Sequence, residues 1–145
     1  MNAPADPAFA QRCRDSFGRQ KAMALIGASL AVVEPGYVEV ALPFREDLTQ
    51  QKRYIHGGIL GMIADTACGY SAFSLMPAGC SPVTVEYKMN ILAPGRGSLV
   101  AKGQVVKPGR TLTVARAEVY ADDGKHVATM LQTLMMLAGT PDTPE

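Results

Sequence analysis

The residues best able to do chemistry in this chain lie in the stretch HGGILGMIADTACGY, residues 56–70. A histidine and two glycines precede an apolar run that reads as a helix, and the run holds one charge, Asp65. A carboxylate set among apolar residues costs several kcal/mol to desolvate unless something binds or uses it. An ionised aspartate can attack as a nucleophile or take a proton as a general base. Gly57 suits the complementary task. It opens the helix, where backbone N–H groups lack intrahelical partners and the dipole is positive, and a glycine lets another group approach closely. An N–H aimed at a developing oxyanion is worth about 3–4 kcal/mol in hydrolases. His56 would cap the helix or steady the site through a hydrogen bond. Plainer readings stay open: His56-Gly57-Gly58 as a helix start with a convenient turn, and Asp65 as a structural carboxylate.

Gly58, Gly61, Cys68, Gly69 and Ala72 fall at helical spacing from Asp65, and all are small. Such a stripe leaves room for a substrate or for a closely packed helix. Ile59, Ile63, Tyr70 and Phe73 read as core. Cys68 reads as a packing residue, because a cysteine nucleophile wants a base nearby and the chain has only two histidines, His56 and His126. Gly57 and Asp65 are eight residues apart, so one helix separates them by about 12 Å. A single carbonyl needs its donor and its attacker each about 3 Å away. If both act on one carbonyl they come from different chains. A two-fold dimer with antiparallel central helices would supply the pair twice.

The elements that must hold these residues follow from periodicity. Residues 8–24 read as a short amphipathic helix within an N-terminal helical segment, 1–24. SLAVVEPGYVEVALPF reads as a hairpin around Pro35-Gly36, and REDLTQQKRY as a polar loop. The long helix is expected over about 57–76, stopped by Pro77 and Gly79. VTVEYKMNIL then alternates, Val83, Val85, Tyr87, Met89 and Ile91 facing one way and Thr84, Glu86, Lys88 and Asn90 the other. Three more strands follow, turned at Pro108-Gly109 and at Asp122-Asp123-Gly124, which reads as a four-strand meander. One apolar helix with so many strands is best buried by a sheet that curls around it, an α+β hot-dog architecture. The polar tail at 138–145, with its prolines, reads as disordered.

At this point the residues resemble a known family. HGG followed by ADT, with Asp65 nine positions after His56, is similar to the phenylacetic-acid-degradation-type branch of the hot-dog acyl-CoA thioesterases. VTVEYKMNILAPG and VVKPGRTLTVARAEVY resemble the strand and hairpin that follow the helix in that family, and the resemblance runs from Ser29 to Leu137. It implies an acyl-CoA substrate, no separate cofactor, and sites at the interface of a homodimer, with dimers often pairing into tetramers. It also implies roles for three further residues. Gln50 stands where the family commonly has an asparagine near the acyl group. Thr84 matches a strand hydroxyl that helps hold the attacking water. Arg110 lies where members meet the nucleotide part of coenzyme A.

Bulk properties bound the alternatives. With 145 residues the chain reads as one domain, 1–145, of a size often completed by a partner chain. A net charge of +1 gives no general attraction for nucleic acid or an anionic membrane. There is no Cys-x-x-Cys or His/Cys cluster, so no metal site is expected. Three irregularly spaced cysteines fit a reducing, cytoplasmic setting, and the N-terminus lacks the pattern of a signal peptide. The apolar run 59–76 approaches membrane-spanning length, but Asp65 and the small polar residues in it favour a buried core helix. Two other functions compete: a hot-dog hydratase or dehydratase, which would want a catalytic histidine paired with a carboxylate, and a non-catalytic acyl-CoA sensor, which would lack the acid. Met23, Met62, Met76, Met89 and Leu60 are candidate pocket linings. Aryl-acetyl, benzoyl-type and medium-chain acyl groups all remain open.

Overall fold

The structure, a computed structural model, describes residues 3–144. Met1, Asn2 and Glu145, the ends of the expected helical arm and tail, lie outside the described residues. Two short helices, α1 (Phe9–Gly18) and α2 (Lys21–Ile26), precede the hairpin β1 (Ser29–Glu34) and β2 (Tyr37–Leu42). The long helix α3 (Gly57–Phe73) follows, then β3 (Ser81–Ile91), β4 (Leu99–Lys107), β5 (Leu112–Ala121) and β6 (His126–Leu137). All six strands form one antiparallel sheet in the order β1-β2-β4-β5-β6-β3. This is the hot-dog architecture, with α3 as the filling.

Burial explains why α3 sits where it does. Leu60, Ile63, Ala64, Ala67, Cys68 and Phe73 are fully buried on one side of it. The sheet beneath presents small residues at its centre: Ala101 and Gly103 from β4, Ala115 and Ala117 from β5. Larger Val38, Val40 and Leu42 from β2 and Met130 and Leu134 from β6 rise on either side. A floor of alanine and glycine with taller walls is a trough for a helix. At Gly103 the fit has no slack, because a Cβ there would lie 2.2 Å from the Ala67 carbonyl oxygen. Only glycine lets helix and strand backbones approach this closely.

Both ends of α3 are fastened. His56 adopts a non-helical backbone as N-cap, and its Nδ1 accepts from the Gly58 N–H at 2.8 Å. At the far end Arg12 of α1 donates to the carbonyls of Phe73 (3.0 Å), Met76 (2.6 Å) and Pro77 (2.7 Å). Its guanidinium also stacks 4.5 Å from the Phe73 ring centre. A cation that satisfies orphan carbonyls at a helix C-terminus also meets the negative end of the dipole.

Three sequence expectations change. The single helix over 8–24 breaks into α1 and α2 where Gln20 turns extended (ψ 97°), which lets α1 reach back to the end of α3. β3 does not open a four-strand meander. It pairs with β6, and β4 pairs with β2, because the loop after β3 crosses the open end of the sheet, held there by Gly95 carbonyl to Ile55 N–H (2.9 Å). The tail lies against α1, where Arg19 donates to the Asp142 carbonyl (2.6 Å) and Ser16 Oγ to its carboxylate.

The close contact at Gly103 makes a stability prediction. Gly103→Ala should cost about 3 kcal/mol, as overpacking against backbone does. That corresponds to a Tm lower by roughly 10 °C in a domain of this size, measured by calorimetry or circular dichroism.

Candidate active site

The first turn of α3 leaves one donor free. The Gly58 N–H goes to His56 Nδ1, and the N–H groups of Ile59 (2.9 Å) and Leu60 (3.1 Å) both go to the His56 carbonyl. Among the described residues the Gly57 N–H finds no acceptor. Since Nδ1 accepts, the neutral His56 ring carries its proton on Nε2. The cap therefore uses up the neighbouring donors and singles out Gly57.

Two turns further on, Asp65 is half-buried and stands apart from solvent-facing carboxylates. Its Oδ1 accepts from Thr84 Oγ1 at 2.8 Å and also from Gln132 Nε2. Gln132 Nε2 further donates to Thr84 Oγ1 at 2.7 Å. Its Oδ2 accepts nothing among the described residues. Three elements meet here: α3 brings the carboxylate, β3 the hydroxyl and β6 the amide. Gln132 is fully buried, and its Oε1 has no hydrogen-bond partner.

Thr84 arrives through a break in alternation. The β3–β6 register shifts between Thr84 and Glu86, so Val85 is an extra residue with no partner of its own. A bulge of this kind moves a strand's inside residues by one position. Thr84, expected opposite to Tyr87, Met89 and Ile91, therefore shares the helix-facing side with them. Tyr87 Oη and Met89 Cε lie 3.3 and 3.8 Å from where a Cβ on Gly61 would be, and Ile91 Cδ1 lies 3.0 Å from one on Gly57. Glu86 points the other way and accepts from Thr133 Oγ1 at 2.7 Å. Gly57 and Gly61 of α3 are thus the space into which β3 leans.

The remaining candidates are placed differently. Gln50 is tied into its own loop, its Oε1 accepting from the Lys52 N–H, and it does not reach Asp65 in this chain. Arg110 is exposed in the β4–β5 turn and makes no hydrogen bond or ion pair among the described residues. His126 bonds Glu118 at 2.6 Å and stacks on Tyr120, far along β6 from the site. Cys68 and Ala72 are core rather than part of an open stripe. Leu60, Met23 and Met76 are core too, and Met89 packs against the core. Met62 does line a cleft of about 410 Å³, with Asp47, Leu48, Thr49, His56, Gly58 and Ile59, at the open N-terminal end of α3. Gln132 escaped the sequence reading, although a signal existed. On β6 the inward row runs Ala128, Met130, Gln132, Leu134, and a lone amide in an apolar row asks what it bonds.

Among the described residues no group of three His, Cys, Asp or Glu side chains is placed to hold a metal ion. No helix among them is long and apolar enough to cross a membrane.

Fold and site together define a hot-dog protein that carries a bonded carboxylate on its central helix. The comparisons make the family specific: residues 53–128 match the Thioesterase superfamily model, and the chain belongs to that superfamily. A thioesterase family protein from Silicibacter pomeroyi is 48% identical, with 90% of this chain and 99% of that one covered at a TM-score of 0.88. The PaaI protein from the phenylacetic acid degradation operon of E. coli shares the fold, with 22% identity, coverage of 94% and 99%, and a TM-score of 0.86. So does a Streptococcus mutans protein solved with acetyl-CoA bound, with 24% identity, coverage of 78% and 90%, and a TM-score of 0.71.

All three cysteines, Cys13, Cys68 and Cys80, are buried and unpaired. Burial pushes the Cys13 thiol up to about 12. Burial, with Asp65 close by, raises that of Cys68 as well. Neither of these two is a ready thiolate, and Cys80 is shielded by burial. A chromogenic thiol reagent should therefore find no fast-reacting cysteine in the native protein and three in denaturant. Cys68→Ala should keep activity within about threefold, since only a small packing group is lost.

Proposed function

We propose that the protein is an acyl-CoA thioesterase whose two active sites are each shared between the chains of a homodimer. The observation that carries this reading is the Asp65 carboxylate, bonded on Oδ1 by Thr84 and Gln132 and left open at Oδ2. A carboxylate kept only for structure has no need of an open oxygen on an uncovered helix face. The superfamily supports thioester hydrolysis, and the acetyl-CoA in the Streptococcus mutans protein favours coenzyme A as the thiol part.

Distance and exposure support the dimer. Gly57 and Asp65 lie on one unbroken helix, about 12 Å apart, too far for one carbonyl. Along α3, Gly58, Met62, Asp65, Thr66 and Gly69 form a stripe that the chain's own sheet leaves uncovered. Beside it runs β3, a free sheet edge with exposed Val83 (42%), Val85 (55%), Tyr87 (46%) and Ile91 (52%). Apolar edges of this kind invite pairing. A second copy related by a two-fold axis would cover stripe and edge together and set Gly57 of one protomer opposite Asp65 of its partner.

The thioester carbonyl would accept from the Gly57 N–H at the positive end of α3, which stabilises charge as it develops on oxygen. His56, with Nε2–H turned outward, keeps the neighbouring donors occupied and the helix start rigid. The acyl group or the pantetheine arm would occupy the apolar cleft by Ile59 and Met62. Asp65 of the partner would supply the attack, directly or through water. Collapse of the tetrahedral intermediate would expel the thiolate, a good leaving group that asks for little assistance. Arg110, exposed at a turn, is suited to meet phosphate groups of the nucleotide. Pairs of dimers would make the tetramer common in such proteins. A hydratase reading is less well served, because the only histidine near the site spends its Nδ1 on a helix cap.

Thiol release across a panel of acyl-CoA substrates tests the activity. Hydrolysis should proceed in the presence of a chelator. Asp65→Asn should stay folded and lose at least about a thousandfold in kcat, within the range for removing a general base or nucleophile. Full activity in that variant would refute the assignment. Complementation tests the sharing: a heterodimer of Asp65→Asn with Gly57→Pro, which lacks the donor, holds one doubly lesioned and one intact site. It should recover about half of wild-type activity per dimer, the fraction that the two-fold geometry dictates. A folded but inactive heterodimer, or a fully active monomer, would exclude shared sites.

A further inference from the structure

We propose that Gln132 is a positioning residue for hydrolysis: its amide fixes the direction of the hydrogen bonds at Thr84 and Asp65, so that the attacking water is held by two acceptors. The inference rests on the thioesterase reading above and decides between its two modes of attack.

Gln132 sits in the core at a cost. It is fully buried, and its Oε1 is without a partner. A leucine or methionine would fill the same space without stranding an acceptor. What glutamine adds is the pair of N–H donors on Nε2, and both are used, one on Thr84 Oγ1 (2.7 Å) and one on Asp65 Oδ1. The amide cannot be turned over without cost, because Oε1 would then face a hydroxyl oxygen already committed as donor and a carboxylate oxygen.

Direction follows from donor counting. Nε2 only donates, so Thr84 accepts from it. The single Thr84 hydrogen then goes to Asp65 Oδ1 at 2.8 Å. Thr84 is left with one unused lone pair and no hydrogen to give. Oδ1 already receives two donors, and Oδ2 receives none among the described residues. The open positions at this site are both acceptors. A water donating one O–H to Thr84 Oγ1 and the other to Oδ2 has its own lone pair turned outward, toward a carbonyl brought by the partner chain. As its oxygen bonds to the carbonyl carbon, the proton passes to Oδ2. The C–S electron pair then leaves with sulfur, and the proton on Oδ2 is returned to the thiolate or to solvent. Asp65 acts as general base and forms no acyl bond.

Gln132→Met keeps length and bulk and removes both donors. Gln132→Glu keeps the shape and sets a second carboxylate beside Asp65. Steady-state kinetics on both, with thermal melts as folding controls, test the proposal. For Gln132→Met, kcat should fall about tenfold or more with KM within threefold, the pattern of a lost transition-state interaction. Gln132→Glu, which puts acceptors where Nε2 donated, should lose at least as much. In an Asp65→Asn background Gln132→Met should add nothing. Single-turnover hydrolysis in H2¹⁸O should place the heavy oxygen in the product acid. A folded variant with kcat within twofold overturns the proposal, as does ¹⁶O in the single-turnover product. Should neither variant fold, the side-chain amide resonances of Gln132 decide. They should shift between the wild-type and Asp65→Asn proteins, and resonances that do not respond overturn the proposal. An active Asp65→Asn protein defeats the thioesterase site itself, whereas an inactive one beside a wild-type-like Gln132→Met defeats only the role of Gln132.

Discussion

The contact on which the rest of the molecule depends is between two backbones. The Ala67 carbonyl of α3 occupies space that a side chain on Gly103 would need. This sets the height of the helix above the sheet. With the helix so low, the centre of the sheet tolerates only small residues, and the flanking strands must rise around it. β6 then comes near enough for Gln132 to reach past the core to Asp65, and β3 near enough to lean on the glycines. A helix riding higher would put the carboxylate out of reach of both.

From that height comes the chemistry of α3, a helix with two kinds of polarity. Its start concentrates unpaired donors and positive dipole, and the His56 cap leaves Gly57 as the one to use. Its middle carries a half-buried carboxylate, which the protein itself must solvate on the side turned away from water. Thr84 and Gln132 do that on one oxygen only. In the proposed mechanism, polarisation and attack would sit on the same rod, at a separation that no single carbonyl can bridge within one chain. The Arg12 cap at the opposite end keeps the rod from fraying where the arm meets it.

Much of this was legible in the residues. The long helix, its His-Gly-Gly start, the odd charge inside it and the order of strands are all local patterns, and local patterns survive folding. What was not legible depends on partners distant in sequence. Strand pairing is one case: nothing in VTVEYKMNIL says that it takes the sheet edge beside β6 rather than β4. Gln132 is another, since its meaning is a hydrogen bond to a residue 67 positions away. The polarity pattern of the arm continues through Gln20 and so reads as one helix, whereas the folded chain breaks there and brings Arg12 to the end of α3. Gln50 and Arg110, placed by resemblance alone, make no contact with Asp65 in the single chain.

The bulge at Val85 has a consequence for how this strand can change over time. Loops absorb a lost or gained residue with little effect, and regular strands shift their ends. Here the bulge decides which side of the sheet the hydroxyl occupies. Drawn into regular pairing, Val85 would take the helix-facing place at the carboxylate and Thr84 would turn to the other face. Removing Val85 instead would leave plain alternation, with Thr84 two places from Tyr87 and still opposite Leu134. The strand can thus shed that one residue and keep its hydroxyl, whereas smoothing the bulge with the residue retained would lose it.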